Sequence, residues 1–263
     1  MGKFKNGFLT GPVGPVSYRK DGADQIVQSR PGKGNTNMSE VTMEFASSFS
    51  IASALGSNIR ECFQKSINGW YEGKIVNQLN GLLNTIVTQC RDVKTHKLSY
   101  DQYSFKQLAG FDFNPASALG KQIGFEVQTH WVSGQLKVTV PRIQQPLQLK
   151  FPAGANRCEL CFSLGIIRPE EGYRLQYPER RSMFVLKNQP LTEETVFTFN
   201  VPEGCLYILT LGLRYTVHRS KTDTLYNNKT FNPVGILAAY LVPGTYSGQD
   251  ALEWIDMPRV KIN

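Results

Sequence analysis

The sequence predicts a mainly β protein with an α-helical hairpin, in which an antiparallel β-sandwich, Ig-like or jelly-roll-like, follows an N-terminal arm. Three observations carry this prediction. After about residue 111, apolar and polar side chains alternate with a period of two, as they do in half-buried strands. Between residues 38 and 94, apolar side chains recur every three or four residues, which is the helical period. The first 37 residues contain glycines and basic residues but no apolar run that could form a core.

The N-terminal arm, residues 1–37, is predicted to be extended and to contain one hairpin. Asp21 and Gly22 stand between two short alternating runs, 16–19 and 25–29, and Gly22 can adopt the positive φ of a tight turn. The arm carries six basic residues against two acidic ones, a net charge of +4 out of the +8 of the whole chain. Because an isolated hairpin is marginally stable in water, it must rest on its own domain or on a neighbouring subunit.

Residues 38–98 are predicted to form the helical hairpin. Asn37 followed by Glu40 has the form of a helix cap with its reciprocal carboxylate. One apolar run extends from Val41 to Phe63 and a second from Ile75 to Val93, with polar residues and a glycine between them. Two helices joined by a short loop are therefore expected.

Residues 99–243 are predicted to form the sandwich, because about eight or nine short strands bounded by turn residues are typical of antiparallel sandwiches and barrels. The predicted strands are 125–128, 136–140, 147–151, 158–162, 183–186, 196–201, 206–211, 213–217 and 236–242. The last segment, 244–263, is too short to fold alone. It is predicted to be a second docking segment that uses Trp254 and Ile255.

The five cysteines predict neither a disulfide framework nor a metal site. Their number is odd and their spacing irregular, so they are expected to be buried thiols. Cys158 and Cys161 have the spacing of a zinc knuckle or a redox pair. In a strand, however, residues three apart point to opposite faces, and no second Cys pair or His cluster follows.

The sequence favours a protein that is not an enzyme. His96, His130 and His218 are far apart, and none has a cysteine or carboxylate at ligand spacing. The glycines of 31–35 lack the spacing of a phosphate-binding loop. No nucleophile elbow, metal-site motif or nucleotide fingerprint is present, so we expect no catalytic residues and no cofactor.

The start of the chain does not resemble a Sec signal peptide, and no stretch approaches the roughly 20 apolar residues of a membrane helix. We therefore expect no membrane span and synthesis in the cytoplasm without a Sec signal. The final site is left open between the cytoplasm, a virion and an extracellular assembly.

Segment 170–181 combines aromatic with basic side chains and is predicted to be a loop that contacts a ligand or partner. This mixture is favoured at protein interfaces and on surfaces that bind sugars or single strands. An ordinary solvated loop is the alternative. The candidate residues are Tyr173, Arg174, Tyr177, Arg180 and Arg181.

The opening of the chain resembles an uncharacterised family of Bacteroidota proteins. The resemblance is carried by GKFKNGFLTGPVGPV at 2–16, by SYRK with Gly22, and by VQSRP at 27–31. Members of that family begin with a Gly-rich basic arm of the N-G-x-x-G-x-x-G-x-V type and continue with a helical region and a β-sandwich. The resemblance implies no enzymatic activity.

We expect a structural protein, phage-derived or virion-like in character, that assembles with itself into a filament, a tail-like or a virion-like polymer. The arm and the tail would reach adjacent subunits and add strands by β-augmentation. The predicted interface consists of Phe4, Phe8, Val13, Val16, Tyr18, Arg19, Ile26, Val27, Arg30, Trp254 and Ile255.

Two alternatives belong to other classes. A glycan- or protein-binding β-sandwich module would use the loop of tyrosines and arginines at one end of the sandwich. A nucleic-acid binder would place the basic arm on phosphates, and its affinity would fall steeply with salt. Other structural proteins remain candidate partners beside the chain itself, and nucleic acid is the less favoured one.

Overall fold

A computed structural model describes residues 2–21, 23–30, 40–71, 73–92, 94–95, 97–175, 178–219, 222–248, 252–258 and 260. The chain divides into two units, residues 1–46 and residues 47–263. This boundary lies inside the first helix and not at residue 37. The second unit contains the segments predicted as helical hairpin, sandwich and tail, because they share cores.

The first unit contains an antiparallel sheet of the strands β1 (Lys3–Lys5), β2 (Phe8–Val13), β3 (Val16–Asp21) and β4 (Asp24–Ser29), in that order. The predicted hairpin is confirmed, since Val16 pairs with Ser29 and Asp21 with Asp24. The arm contains more than the one predicted hairpin, because β1 and β2 add two further strands. Residues 31–37 of the predicted arm lie outside the described residues. Asn6 and Gly7 turn the chain between those two strands with φ of 52° and 81°, the conformation that an Asn-Gly hairpin turn requires.

Helices follow where the period of three to four residues predicts them. They are α1 (Glu40–Cys62), the short α2 (Gln64–Ile67) and α3 (Gly73–Gln89). Asn68 ends α2 with a φ of 56° in the left-handed region. In the described part of the chain, no helix combines the length and the apolar character needed to cross a membrane.

The remaining strands form two antiparallel sheets. The strands are β5 (Gln128–Val132), β6 (Gln135–Val140), β7 (Arg157–Arg168), β8 (Tyr173–Leu175), β9 (Glu179–Leu186), β10 (Thr195–Asn200), β11 (Leu206–Arg219), β12 (Thr222–Leu225), β13 (Val234–Leu241) and β14 (Trp254–Asp256). Among the described residues the smaller sheet has the order β10-β6-β5 and the larger one β12-β11-β7-β8-β14, with β13 beside β11 and β9 beside β7. A β-rich fold with antiparallel sheets is thus confirmed.

The larger sheet contributes side chains to two separate cores. Alternate residues of β11, such as Tyr207 and Leu209, join one core with Val138 of the smaller sheet. Leu206 and Ile208, which alternate with those two residues along β11, join a second core with helical residues such as Leu55. The period of two therefore assigns one face of the sheet to the smaller sheet and the other to the helices.

Several strand predictions need correction. The predicted strands 206–211 and 213–217 are one continuous strand, β11, because Gly212 keeps its pairing with both β7 and β13. Segment 125–128 reaches a strand only at Gln128. Segment 147–151 is not a strand but makes a single bridge, between Leu149 and Ile123. Both segments place apolar side chains in the core, which explains why their alternation resembled that of strands.

Candidate interaction surface of the N-terminal sheet

The sheet formed by β1 to β4 has paired strands but no core. Among the side chains described between Gly2 and Arg30, none is buried. Phe8, Val16, Tyr18 and Ile26 are half-buried, as their positions within the sheet predict. The hydrogen bonds of the ladder are present, but the apolar contacts that normally stabilise a sheet in water are incomplete.

Three large apolar side chains of this sheet are exposed. The exposed fraction is 74% for Phe4, 52% for Val27 and 43% for Val13. Two of the three lie on strands at the sheet's edges, since β1 and β4 are its first and last strands. Edge strands with exposed apolar side chains are the usual sites at which a strand of another chain pairs.

The same sheet carries exposed basic side chains. Arg19 and Arg30 are exposed. The ammonium group of Lys20 lies 4.2 Å from the centroid of the Phe8 ring, which is cation–π geometry. The side chain of Gln25 donates to the carbonyl of Leu9 and accepts from its N–H, at 2.9 and 2.8 Å, so β4 is tied to β2 across the sheet. The sheet therefore has a defined shape that presents apolar and cationic groups together.

The C-terminal residues of the predicted interface lie elsewhere. Trp254 and Ile255 are in β14, which pairs with β8 of the same chain, Trp254 opposite Leu175. The prediction that these two residues dock on a neighbouring subunit is therefore corrected. The last segment has its strand partner within its own unit, and both side chains are half-buried.

An arginine fixes β14 at the edge of the larger sheet. The guanidinium carbon of Arg168 lies 4.3 Å from the ring centroid of Tyr246 and 5.5 Å from that of Trp254. It also forms a 3.1 Å ion pair with Glu171. The indole N–H of Trp254 donates to the Tyr246 hydroxyl at 3.0 Å. This cluster was not predicted, because its members are separated by up to 86 residues along the chain.

The tyrosines and arginines of segment 170–181 do not form one platform. The segment contains β8 and the start of β9, so the loop prediction is corrected. Tyr173 stacks on Arg168, and Arg174 is buried at 7% exposure. Arg180 and Arg174 line the same cleft of about 660 Å³ beside α1. Arg181 instead lies 5.3 Å from the Phe199 ring, on the other face of β9.

Tyr177 lies outside the described residues. Of the candidates that are described, three are held in contacts within the second unit, on different faces of the sheet. A single ligand site made by these side chains is therefore not supported.

The buried charge of Arg174 has three hydrogen-bond partners within the chain. Its guanidinium donates to Asn58 at 2.8 Å, to Glu61 at 2.8 Å and to the carbonyl of Leu175 at 3.3 Å. Glu61 and Asn58 belong to α1, so the pair joins the helix to β8. A charge buried with such partners links the helix to the sheet and is structural.

The cysteines carry no site. Cys62, Cys90, Cys158 and Cys161 are free thiols, and Cys62, Cys158 and Cys205 are buried. Burial raises the pKa of Cys62 to about 11, although the charges of Arg174 and Arg180 oppose the shift. Cys158 is buried in the core and Cys161 is only half-buried on the opposite face of β7, as the spacing predicts.

Neither of the two histidines that the structure describes belongs to a metal-binding group. His130 is exposed in β5, and His96 lies outside the described residues. His218 lies 2.5 Å from Asp223, which also contacts Arg157, and hydrogen bonding to His218 lowers the pKa of Asp223. Among the described residues, no group of three or more His, Cys, Asp or Glu side chains could hold a metal ion.

Comparison of the chain with protein-family models, with curated proteins and with solved structures finds no match. The candidate surface therefore has to be interpreted from its own geometry.

Proposed function

We propose that this chain is a non-enzymatic structural subunit that assembles with copies of itself into a filament, a tail-like or a virion-like polymer through its N-terminal sheet. The observation that carries the proposal is a sheet of four paired strands in which no described side chain is buried. Such a sheet gains its missing apolar contacts when another molecule covers it.

The energetic argument rests on Phe4, Val13 and Val27. Ordering a residue costs about 1–2 kcal/mol of conformational entropy, which a sheet normally offsets by burying one face. Covering a large apolar side chain returns about 1.5–3 kcal/mol. These three side chains are exposed by 43% to 74%, so about half of this stabilisation is still available to an interface.

The second unit supplies the rigid body of the proposed subunit. We propose that its two sheets form a β-sandwich and that α1 and α3 form a helical hairpin against the larger sheet. Asn80 of α3 supports the second part, because its carboxamide is 3.4 Å from the Ser53 hydroxyl and 3.5 Å from the Arg60 guanidinium, both on α1.

The geometry of strand addition fits a polymer. β1 and β4 are edge strands of the N-terminal sheet, and an added strand on either would pair by backbone hydrogen bonds. When such an edge meets a different surface on the next copy, the contact is heterologous and continues as a ring or a filament.

The test compares two full-length variants with wild type by light scattering after size exclusion and by negative-stain microscopy. Val27→Asp places a charge on the edge strand β4, where the valine is 52% exposed. Val196→Asp is the matched control, because that valine is 53% exposed on β10, an edge strand of the smaller sheet. We expect Val27→Asp to reduce the assembled mass and Val196→Asp to leave it unchanged.

A wild-type protein that is monomeric at every concentration would overturn the proposal. So would equal assembly of wild type and the Val27→Asp variant. Circular dichroism of both variants checks that the second unit keeps its fold.

A further inference from the structure

Strand β9 is an open edge of the larger sheet. It pairs with β7 from Glu179 to Leu186, and within the described part of the chain no strand lies on its other side. Among the described strands, β8 also pairs with β7 on this side, and β14 pairs with β8. An unpaired edge of this length presents a row of backbone donors and acceptors to any strand that approaches it.

The middle of this edge lacks the usual protection against pairing. Ser182–Leu186 contains no charged residue, no proline and no glycine. Phe184 is 54% exposed and Leu186 is 43% exposed, both on the face of the sheet opposite to the core that receives Val185. Natural edge strands usually avoid this combination by charges, proline or bulges.

The charges at the two ends of β9 are arranged symmetrically. Glu179 lies four residues before Met183 and Lys187 lies four residues after it. Because side chains alternate along a strand, Glu179 and Met183 point to the same face. Lys187 is the first residue after β9, and extending the alternation by one residue places it on that face as well. When two such strands run antiparallel with Met183 opposite Met183, each Glu179 lies opposite Lys187 of the other copy. This register therefore gives two favourable charge pairs.

We infer that β9 is a homodimer interface, at which β9 of one copy pairs antiparallel with β9 of a second copy about a two-fold axis through Met183. In this register Ser182 lies opposite Phe184 of the other copy, so the two phenylalanines become diagonal neighbours beside the axis. Arg180 of one copy lies opposite Leu186 of the other, so its side chain covers the exposed Leu186. The contact is isologous and closes after two copies.

Charge favours this register over the one centred on Phe184. A shift that centres the axis on Phe184 places Arg181 opposite Lys187, a like-charge pair at both ends. It also loses the pairing of Glu179 with Lys187. The inference does not depend on the N-terminal sheet, because β9 lies in the second unit.

The experiment uses full-length protein that carries Val27→Asp, so that contacts through the N-terminal sheet are removed. We expect this variant to be a dimer of 29.5 kDa subunits in sedimentation velocity. Adding Phe184→Asp should give monomers. Adding Val132→Asp should leave the dimer intact, because that valine is 49% exposed on β5, an edge strand of the smaller sheet.

A charge reversal and its compensation test the register. In the same background, Glu179→Lys should raise the dimer dissociation constant about tenfold, since it creates two like-charge pairs. The double change Glu179→Lys with Lys187→Glu should restore the dimer. A merely destabilised fold would not be rescued by the second change.

The inference is overturned if the Val27→Asp protein is monomeric, or if its dimer is unaffected by Phe184→Asp and by Glu179→Lys. If Val27→Asp leaves a polymer of unchanged size, the proposed role of the N-terminal sheet is wrong. The β9 contact is then tested in the otherwise wild-type chain, by Glu179→Lys and its rescue with Lys187→Glu. Assembly through the N-terminal sheet and dimerisation through β9 are thus distinguished by which variant changes the mass of the assembled protein.

Discussion

Arg174 carries its charge into the interior of the second unit, where it is 7% exposed. Its partner Glu61 has a side chain that is 58% exposed. Loss of the two charges would therefore not be equivalent, because Glu61 can be solvated when it is unpaired and Arg174 cannot. The ion pair is a structural link between α1 and β8.

We predict that Glu61→Ala lowers the free energy of unfolding by about 1–2 kcal/mol, because the guanidinium of Arg174 stays buried without its carboxylate. Glu193→Ala is the control, since the Arg142–Glu193 pair has side chains that are 64% and 90% exposed. It should change the stability by less than about 0.5 kcal/mol. Urea unfolding followed by fluorescence measures both, and equal effects would contradict the structural role of the buried arginine.

The cysteines are predicted to differ in reactivity, because the thiolate is the reacting species. Burial raises the pKa of Cys62 to about 11, and it raises that of Cys158 further. N-ethylmaleimide at about pH 8 should label the half-buried Cys90 and Cys161 first. Peptide mass spectrometry measures the order in which the cysteines are labelled. Denatured protein, in which all five cysteines should react, is the control.

The stability of the fold should decrease at high pH, because burial raises the pKa of Cys62. The folded chain holds the proton of Cys62 more tightly than the unfolded chain, whose thiol has the ordinary pKa of 9.0. The contribution of this group to stability is therefore complete below pH 9.0 and is lost as the pH rises towards about 11. Early labelling of Cys62 in the native protein would contradict its burial.

At the scale of elements, the N-terminal sheet and the larger sheet differ in what stabilises them. The strands β7 and β11 are buried in two cores, whereas β1 to β4 have no buried side chain among those described. Local stability follows buried apolar contact more closely than the number of backbone hydrogen bonds.

We predict that amide hydrogens of β1 to β4 exchange rapidly in dilute protein and become protected as the protein is concentrated into assemblies. Those of β7 and β11 should be protected under both conditions, because their core is complete. Hydrogen exchange with mass spectrometry at a series of concentrations makes the measurement. Strong protection of residues 2–30 in a dilute monomer would contradict the proposed function.

The C-terminal strand β14 depends on one aromatic residue. Trp254 packs against the core and stacks on Arg168, so we predict that Trp254→Ala lowers the free energy of unfolding by about 2 kcal/mol. It should also release protection at Tyr173–Leu175, which pair with β14. Leu252→Ala, at a residue that is 37% exposed, is the matched control and should have little effect. An unchanged exchange rate in β8 would show that β14 is held by other contacts.

At the scale of the whole molecule, the positive charge has two interpretations. The net charge is +8, and residues 1–37 hold +4 of it. A nucleic-acid binder would lose affinity steeply with salt, because each neutralised phosphate releases counterions. A self-assembling subunit uses the exposed apolar side chains together with these charges.

We predict that nuclease-treated protein, free of nucleic acid by its absorbance ratio, assembles as the untreated protein does. A short DNA duplex added at physiological salt should not change the assembled mass. Light scattering with and without nuclease makes the comparison. Assembly that occurs only in the presence of nucleic acid would favour the binder and contradict self-assembly.

The sequence by itself determined the parts of this protein that depend on local period and turn chemistry. The period of two indicated most strands of the two sheets, the helical period indicated α1 and α3, and Asp21-Gly22 indicated the β3–β4 hairpin. The same reasoning applied to Asn6-Gly7 would have indicated the first hairpin as well. These features were readable because neighbouring residues alone decide them.

Only the tertiary structure decided which side chains meet. Glu61 and Arg174 are 113 residues apart, and β14 is paired with β8 rather than with another chain. Alternation along a strand predicts which side chains share a face, but not which strands or helices pack against that face. The sequence pattern around an arginine does not show whether it is buried or exposed. The sequence indicated that the first 37 residues lack a core. That β1 to β4 nevertheless pair into a four-stranded sheet was visible only in the structure, because strand pairing depends on neighbours that are distant along the chain.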